Sequence, residues 1–528
     1  MQRRASLYRI TLTAAAIVIT FSFSAYSSAQ TPSKWSDLRP GPYAVGFKTI
    51  EEYDYSRVFR PKYDYFGTPL EGERARPLQI CIWYPAQPKT KGAPMVYGEY
   101  SFPYPENTDF FALIAGLQDR ERNYLFGLFN PNRGLPLDLM SVDMTAIKDA
   151  APAEGQFPLI VYCSDLQGSY SENAILCEYL AGQGYVVAAT HSIGTKDTNP
   201  ITTQGDLETL LSDKEFLPAA MREMPFVDKN KLGVIGMGFG GLESLLLAMR
   251  NPDIDAIVSL RGIFIYSANF DFVRQSPYFG IANCHVPILQ IYPSEVDNLD
   301  LSLYESLRFA PRYSAKMMKL QNRDFAGYSL LSSMVPGIEV ENLADKKAGY
   351  SAICRYTAEF FNANLKKDDG SSKFFDKTPA ENGIAAGCME VKFSPKQDLP
   401  PTENQFMAII QEKGVKTARE LYDKFKASNP DHIFFREAQI NFLGYQYLQT
   451  NQIDDAVTVF KMNTEAYPLS CNVWDSYADG LTAKGDSLQV RKVLKKALEI
   501  MPGDSITDEQ TKEAIRAHAH GVLGTPEN

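Results

Sequence analysis

Lys231-Leu-Gly-Val-Ile-Gly-Met-Gly-Phe-Gly-Gly241 decides the architecture of this chain. Leu232 to Ile235 form an apolar run of buried-strand length, the run breaks on Gly236, and a helical stretch follows at once. Glycines at alternate positions mark a turn where strand and helix approach more closely than a Cβ allows. They also permit a backbone conformation that other residues adopt only under strain. A side chain at the centre of such a turn would stand out from the tip of the strand. Position 238 has none.

The same kind of run recurs on both sides. Arg76-Pro-Leu-Gln-Ile-Cys-Ile-Trp83-Tyr84-Pro85 is an apolar strand stopped by proline. Leu159-Ile-Val-Tyr-Cys163, Tyr185-Val-Val-Ala-Ala189, Ala256-Ile-Val-Ser-Leu260 and Pro287-Ile-Leu-Gln-Ile-Tyr292 complete the set with Leu232–Ile235. Nearly continuous apolar strands alternating with helical segments such as Glu172–Leu180 predict an α/β fold with a mostly parallel, doubly wound sheet covered on both faces. Sites on such sheets lie at the carboxyl ends of the strands. An aromatic-rich insertion, residues 97–155, separates the first two strands; it is too long for a plain connection and stands where lids sit.

Asp54-Tyr-Ser-Arg57, Arg76, Ile82-Trp-Tyr-Pro85, Pro158-Leu-Ile-Val-Tyr162, Gly184-Tyr-Val-Val-Ala-Ala189 and the glycine-rich turn follow one another in an order that resembles one branch of the α/β-hydrolases. That branch is the platelet-activating-factor acetylhydrolases and dienelactone hydrolases. The resemblance runs from about residue 41 to 366 and closes on the helical Tyr350-Ser-Ala-Ile-Cys-Arg-Tyr-Thr-Ala-Glu-Phe-Phe361. It implies an α/β-hydrolase domain over residues 30–366, with the insertion as its lid, and a chemistry in which nucleophile, imidazole and carboxylate act as a unit. In that family the turn reads Gly-x-Ser-x-Gly.

By the resemblance, the nucleophile position is Gly238, the carboxylate position is Arg261 in Ser259-Leu-Arg-Gly262, and the histidine position is Asn322 in Gln321-Asn-Arg-Asp-Phe325. In the dienelactone hydrolase pattern the acid lies one strand later, at Glu295 or Asp297, but an acid without its partners has nothing to orient. The implied oxyanion donors are the backbone N–H groups of Phe239 and Leu166. The family's Ser-His-Gly after the second strand stands here as Cys163-Ser164-Asp165, and an aspartate there opposes negative charge developing in an oxyanion hole. Arg261 and the backbone donors suit a small acyl or carboxylate ligand. Alternatively Arg261 neutralises Asp165 in a dry internal pair, the reading favoured by the cost of unpaired buried charge.

Two classes of function follow. The first is a non-catalytic binding or assembly module that has lost its Ser-His-Asp triad. The second is a carboxylic-ester hydrolase with an unorthodox nucleophile: Cys163 and His191 close neighbouring strands on the catalytic edge, where a thiol and an imidazole can meet. His285 precedes its strand, and His432, His518 and His520 lie outside this domain. Ser244, within the helix after the turn, is expected to pack rather than react. No residue pair has zinc-ligand spacing, so neither metal nor cofactor is expected.

Beyond Leu365 the composition shifts. Lys366-Lys-Asp-Asp-Gly-Ser-Ser372 and Ser394-Pro395 to Pro400-Pro401 make residues 367–401 read as a linker, with a short structured piece around Gly383 to Phe393. Further on, Leu443-Gly444, Tyr447, Ala456, Phe460 and Pro468 recur as Tyr477-Ala478, Leu481, Val490, Leu494 and Pro502, a period of 34 residues. Ala418, Tyr422 and Pro430 fit half of an earlier copy, and a helix from about Thr507 to Ala519 would cap the stack. This register resembles the tetratricopeptide repeat and predicts an all-α helical-repeat domain over residues 402–528, with a surface for a protein or peptide partner.

At the other end, Arg3, Arg4 and Arg9 precede an apolar run from Ile10 to about Phe23, and Ser27-Ser-Ala29 follows. Residues 1–29 thus have the form of a secretory signal peptide, too short and too threonine-rich in its apolar part for a comfortable bilayer span. An exported protein is expected, periplasmic or secreted and bacterial, with no stable membrane insertion after cleavage. The net charge is −10, and losing a leader with three arginines and no acid takes it to −13. Such a surface repels phosphate backbones, which argues against nucleic acid. The seven cysteines are scattered and odd in number; Cys81, Cys177 and Cys284 sit in apolar runs, and Cys354 with Cys388 is the one candidate bridge.

Overall fold

The computed structural model describes residues 35, 38–59, 69, 74–88, 90–101, 110, 119, 121–127, 135–166, 168–191, 203–262, 265, 270–429 and 432–524. The expected leader, Pro430 and part of the insertion lie outside the described residues. Two compact units divide the chain, residues 1–397 and 398–528.

Among its described residues the first unit has ten strands: β1 (Ala44–Phe59), β2 (Arg74–Ala86), β3 (Ile147–Lys148), β4 (Phe157–Cys163), β5 (Val186–Thr190), β6 (Val227–Met237), β7 (Ile254–Leu260), β8 (Ile288–Pro293), β9 (Arg312–Met317) and β10 (Met389–Ser394). They lie in the order β10-β9-β8-β7-β6-β4-β5-β2-β1-β3. From β5 to β9 all neighbours are parallel, while β2 is antiparallel to β1 and β5, and β10 to β9. All six strands expected from apolar runs form. Every residue of β4 and β5 is buried, which is why their sequences are apolar without alternation.

Two apolar layers cover the sheet. One face packs the helices Ala174–Gly182 and Leu343–Asn364 onto Trp83, Tyr162, Tyr185 and Ile235. The other packs Gln204–Met221 and Phe239–Arg250 onto Ile80, Val161, Val234 and Ile257. Each large aliphatic side chain so buried contributes about 1.5–3 kcal/mol. The helix Gln204–Met221 starts at a capping box between Thr203 and Asp206. Its interior Asp213 is held by the fork of Arg76, with both nitrogens at 2.6 Å, and by Arg57 at 2.9 Å. The Arg57 and Arg76 of the family-like motif are thus a clamp between β1, β2 and this helix.

The stretch 367–401 is not a linker. Asp369–Phe374 is helical, and Met389–Ser394 is a full sheet strand paired in register with β9 from Met389↔Met317 to Ser394↔Arg312. The boundary therefore falls at Gln397; the short structured piece expected around Gly383 to Phe393 is this edge strand, with Glu390 and Lys392 on its solvent side. The insertion is seated rather than loose in its described parts: Tyr97, Tyr100, Leu125 and Leu139 belong to the apolar core. Tyr100 donates to Glu178 at 2.6 Å. All seven cysteines are buried free thiols, so Cys354 and Cys388 form no bridge.

Among the described residues the second unit has six α-helices, Glu403–Ser428 with a break at Gly414, Glu437–Gln449, Ile453–Ala466, Cys471–Lys484, Ser487–Ile500 and Glu509–Leu523. Phe460 is fully buried between Gly444 and Gly480, and a Cβ on either glycine would crowd its ring. No helix among the described residues is long and apolar enough to cross a membrane.

Candidate functional site

The turn after β6 keeps the sharp geometry that its glycines suggest. Gly238 has φ 54° and ψ −117°, a conformation strained for any residue with a Cβ, and its N–H donates to Leu260 O at 2.9 Å. The helix Phe239–Arg250 starts immediately after it. A Cβ built on Gly236 would overlap the backbone of Gly240, so the tight crossing of strand and helix requires glycine there too. The turn is thus aimed to present a side chain at position 238, and its glycine presents none.

The place of that side chain is taken. A Cβ at Gly238 would fall onto the carboxylate of Asp165, which reaches in from the loop after β4. Asp165 Oδ1 accepts from Leu166 N at 2.8 Å and from Phe239 N at 3.0 Å. Those are the two backbone donors assigned to the oxyanion hole. Oδ2 is paired with the Arg261 guanidinium, and the two side chains are 22% and 23% exposed. Arg261 itself sits at the end of β7 with φ 53°, uncommon for a non-glycine residue, and its N–H donates to Ile291 O at 2.8 Å. One anion therefore satisfies two N–H groups and a cation at once, as an ionised carboxylate with two oxygens can.

A further shell, not anticipated from the sequence, fixes this loop. Glu172, buried at the start of the segment leading into the helix Ala174–Gly182, accepts Asp165 N and Tyr162 OH, each at 3.0 Å. Asn173 Nδ2 donates to Tyr162 OH at 2.9 Å, and Tyr350 OH donates to Asn173 Oδ1 at 3.0 Å. Burial, reinforced by the charge of Asp165, pushes the Glu172 carboxyl up to about 8. From the insertion, Glu121 accepts Ser169 Oγ at 2.9 Å on the same loop. The only textual hint of Glu172 is an acid preceding the apolar Ala174-Ile-Leu-Cys177, which reads equally well as a helix start.

The remaining expected positions are elsewhere. Asn322 is exposed at the head of a short 3-10 turn; its buried neighbour Asp324 accepts Gln321 N at 2.9 Å and Ser329 Oγ at 2.6 Å and pairs with Lys346. Glu295 and Asp297 are exposed beyond β8. None of these three bonds to Asp165 or Arg261. Ser164 is buried, and Ser244 packs with its hydroxyl on Gly241 O at 2.7 Å.

Cys163 and His191 do not form the alternative pair. Tyr162 faces Ala189 in the β4–β5 register, so Cys163 shares a face with Thr190 and the next residue, His191, lies on the other. Cys163 belongs to the layer under the helix Phe239–Arg250, beside Glu243, whereas the His191 ring packs at 4.6 Å on Tyr170 of the opposite layer. Burial and Glu243 also push the Cys163 thiol well above its ordinary range, the reverse of an activated thiolate.

Comparison with known proteins agrees with this topology. Residues 145–299, which hold β3 to β8, the glycine-rich turn and the Asp165 loop, match the Dienelactone hydrolase family. A putative carboxymethylenebutenolidase of Methylorubrum extorquens is 22% identical over 216 residues, 37% of this chain and 71% of that protein. A ferulic acid esterase from Streptomyces cinnamoneus superposes with a TM-score of 0.44 at 18% identity, over 67% of this chain and 96% of its own. The matched region includes the turn whose central position is Gly238.

Proposed function

We propose that this protein is an exported, non-catalytic member of the dienelactone hydrolase-like proteins, serving as a binding or assembly module. The single observation that carries the reading is Asp165: its carboxylate stands where a nucleophile would, and it accepts from the two N–H groups that would otherwise stabilise a tetrahedral oxyanion. A substrate carbonyl has no place to enter while that anion is held by Arg261. An acyl or carboxylate ligand of this site would first have to displace it.

The helices of residues 402–528 supply the partner-binding part of the proposal. Their 34-residue period and the seating of Phe460 between Gly444 and Gly480 support a tetratricopeptide-like stack whose surface takes a protein or peptide. The leader-like residues 1–29 support a periplasmic or secreted location.

Purified protein incubated with short-chain nitrophenyl esters, a fluorophosphonate probe and a thiol probe tests the reading. No turnover and no labelling of the native protein are expected. Turnover that survives purification and disappears on Asp165→Ala or Cys163→Ala would overturn it.

A further inference from the structure

β10 is the last strand of the sheet and pairs with β9 alone. Among the described residues, no hydrogen bond from Met389–Ser394 reaches an element other than β9. Such an edge offers a row of backbone donors and acceptors to any strand that can lie beside it. Monomeric proteins guard such edges with charge, and a lysine alone at position 392 would be read as a guard. The sequence here does something else. Met389-Glu390-Val391-Lys392-Phe393 is self-complementary about its centre.

We propose that β10 is an interface with a second copy of this chain, the two strands pairing antiparallel about a twofold axis through Val391 and joining two sheets into one. In that register Val391 faces its own copy, and Met389 faces the copy's Phe393. Glu390 faces Lys392 twice, so both charges that would repel a foreign edge are matched by the chain itself. A twofold contact must be self-complementary in this sense. Phe393 is 49% exposed although its ring lies 4.7 Å from that of Tyr313 on β9, leaving an aromatic step at the strand end for the partner to cover. Glu390 and Lys392 are both exposed, on the face of the strand opposite Met389 and Val391. A contact carried mainly by one strand pair is smaller than the interfaces of permanent dimers, so the association is concentration-dependent.

Sedimentation equilibrium of the full chain over a wide concentration range tests the proposal. A monomer–dimer equilibrium is expected. Glu390→Lys sets lysine against lysine and Lys392→Glu sets glutamate against glutamate. Each single change turns two attractive cross-strand pairs into repulsive ones and weakens association about tenfold or more. The combined Glu390→Lys/Lys392→Glu protein restores both pairs and is expected to dimerise like the original. Glu390 also faces Lys316 on β9, so Glu390→Lys lowers the thermal transition of the protomer slightly, whereas Lys392→Glu, which faces Ser314, leaves it where it is and is the cleaner single variant. A chain that is monomeric at every concentration, or single variants that associate as tightly as the original, overturns the proposal. So does a double variant that fails to recover.

Discussion

Replacing Asp165 with alanine removes one carboxylate and leaves three groups without their acceptor: Leu166 N, Phe239 N and the Arg261 guanidinium. A hydrogen bond to an ionised group contributes about 1.5–3 kcal/mol. Breaking a fully buried ion pair from one side costs about 3–5 kcal/mol. Neither figure applies in full, because a fifth of each charged side chain already meets solvent and water can follow into the vacated space. A net loss of about 2–3 kcal/mol is expected, seen as a fall of about 2–4 °C in the thermal transition of the unit spanning residues 1–397. The informative measurement is rescue. Acetate or formate can occupy the same three donors, so the variant's midpoint rises saturably with either anion, while chloride at equal ionic strength has less effect and the unmodified protein does not respond. Adding Arg261→Ala to Asp165→Ala abolishes the rescue. If Asp165→Ala is as stable as the original, or if chloride rescues as well as acetate, the carboxylate is not what holds this site together.

Other outcomes follow from the same geometry. Gly238→Ser alone gains no esterase activity and loses about 2–4 kcal/mol, from positive-φ strain and collision with Asp165; combined with Asp165→Gly part of that loss returns, a coupling that a double-mutant cycle reads directly. The folded-state pKa of Glu172 is raised above its ordinary carboxyl value, so the native state holds a proton that the unfolded chain releases. Its contribution is therefore complete at acid pH and is lost as pH rises from about 5 through about 8. Glu243, raised to about 7 by burial, adds to the same slope, and Glu172→Gln makes the fall in melting temperature shallower over that range. In the second unit, Phe460→Ala leaves a hole between Gly444 and Gly480 and costs about 3–5 kcal/mol, visible as early loss of helical circular dichroism.

How much of this was legible depends on what each residue faces. The six central strands announce themselves because both of their faces are buried. β1 and β9 do not: Lys48, Glu51, Glu52 and Asp54 interrupt the first, and the second reads Arg312-Tyr-Ser-Ala-Lys-Met317, because strands towards a sheet's margins keep one side polar. β10 showed only as a short structured piece within an expected linker, for the same reason. At the site, the glycine at 238, the arginine at 261 and the aspartate at 165 could be placed from motif order. The Arg261–Asp165 pair favoured by the cost of unpaired buried charge forms; what motif order did not show is that the same carboxylate also takes both backbone donors of the hole, and is itself the anion there. Composition cannot supply that, because it depends on a side-chain torsion in the short loop after β4. The thiol–imidazole alternative failed on parity alone: two strand ends can be neighbours while their terminal side chains point to opposite faces.

The seven thiols have a consequence for handling the protein and for its biogenesis. Each is sealed in the native core, so oxidants find nothing to attack once folding is complete. The unfolded chain exposes all of them, and an odd set can be mispaired in many ways. Heating in air should therefore end in covalently scrambled, aggregated material, whereas the same transition under a reductant should reverse on cooling. In an oxidising compartment the chain would have to fold faster than it is cross-linked.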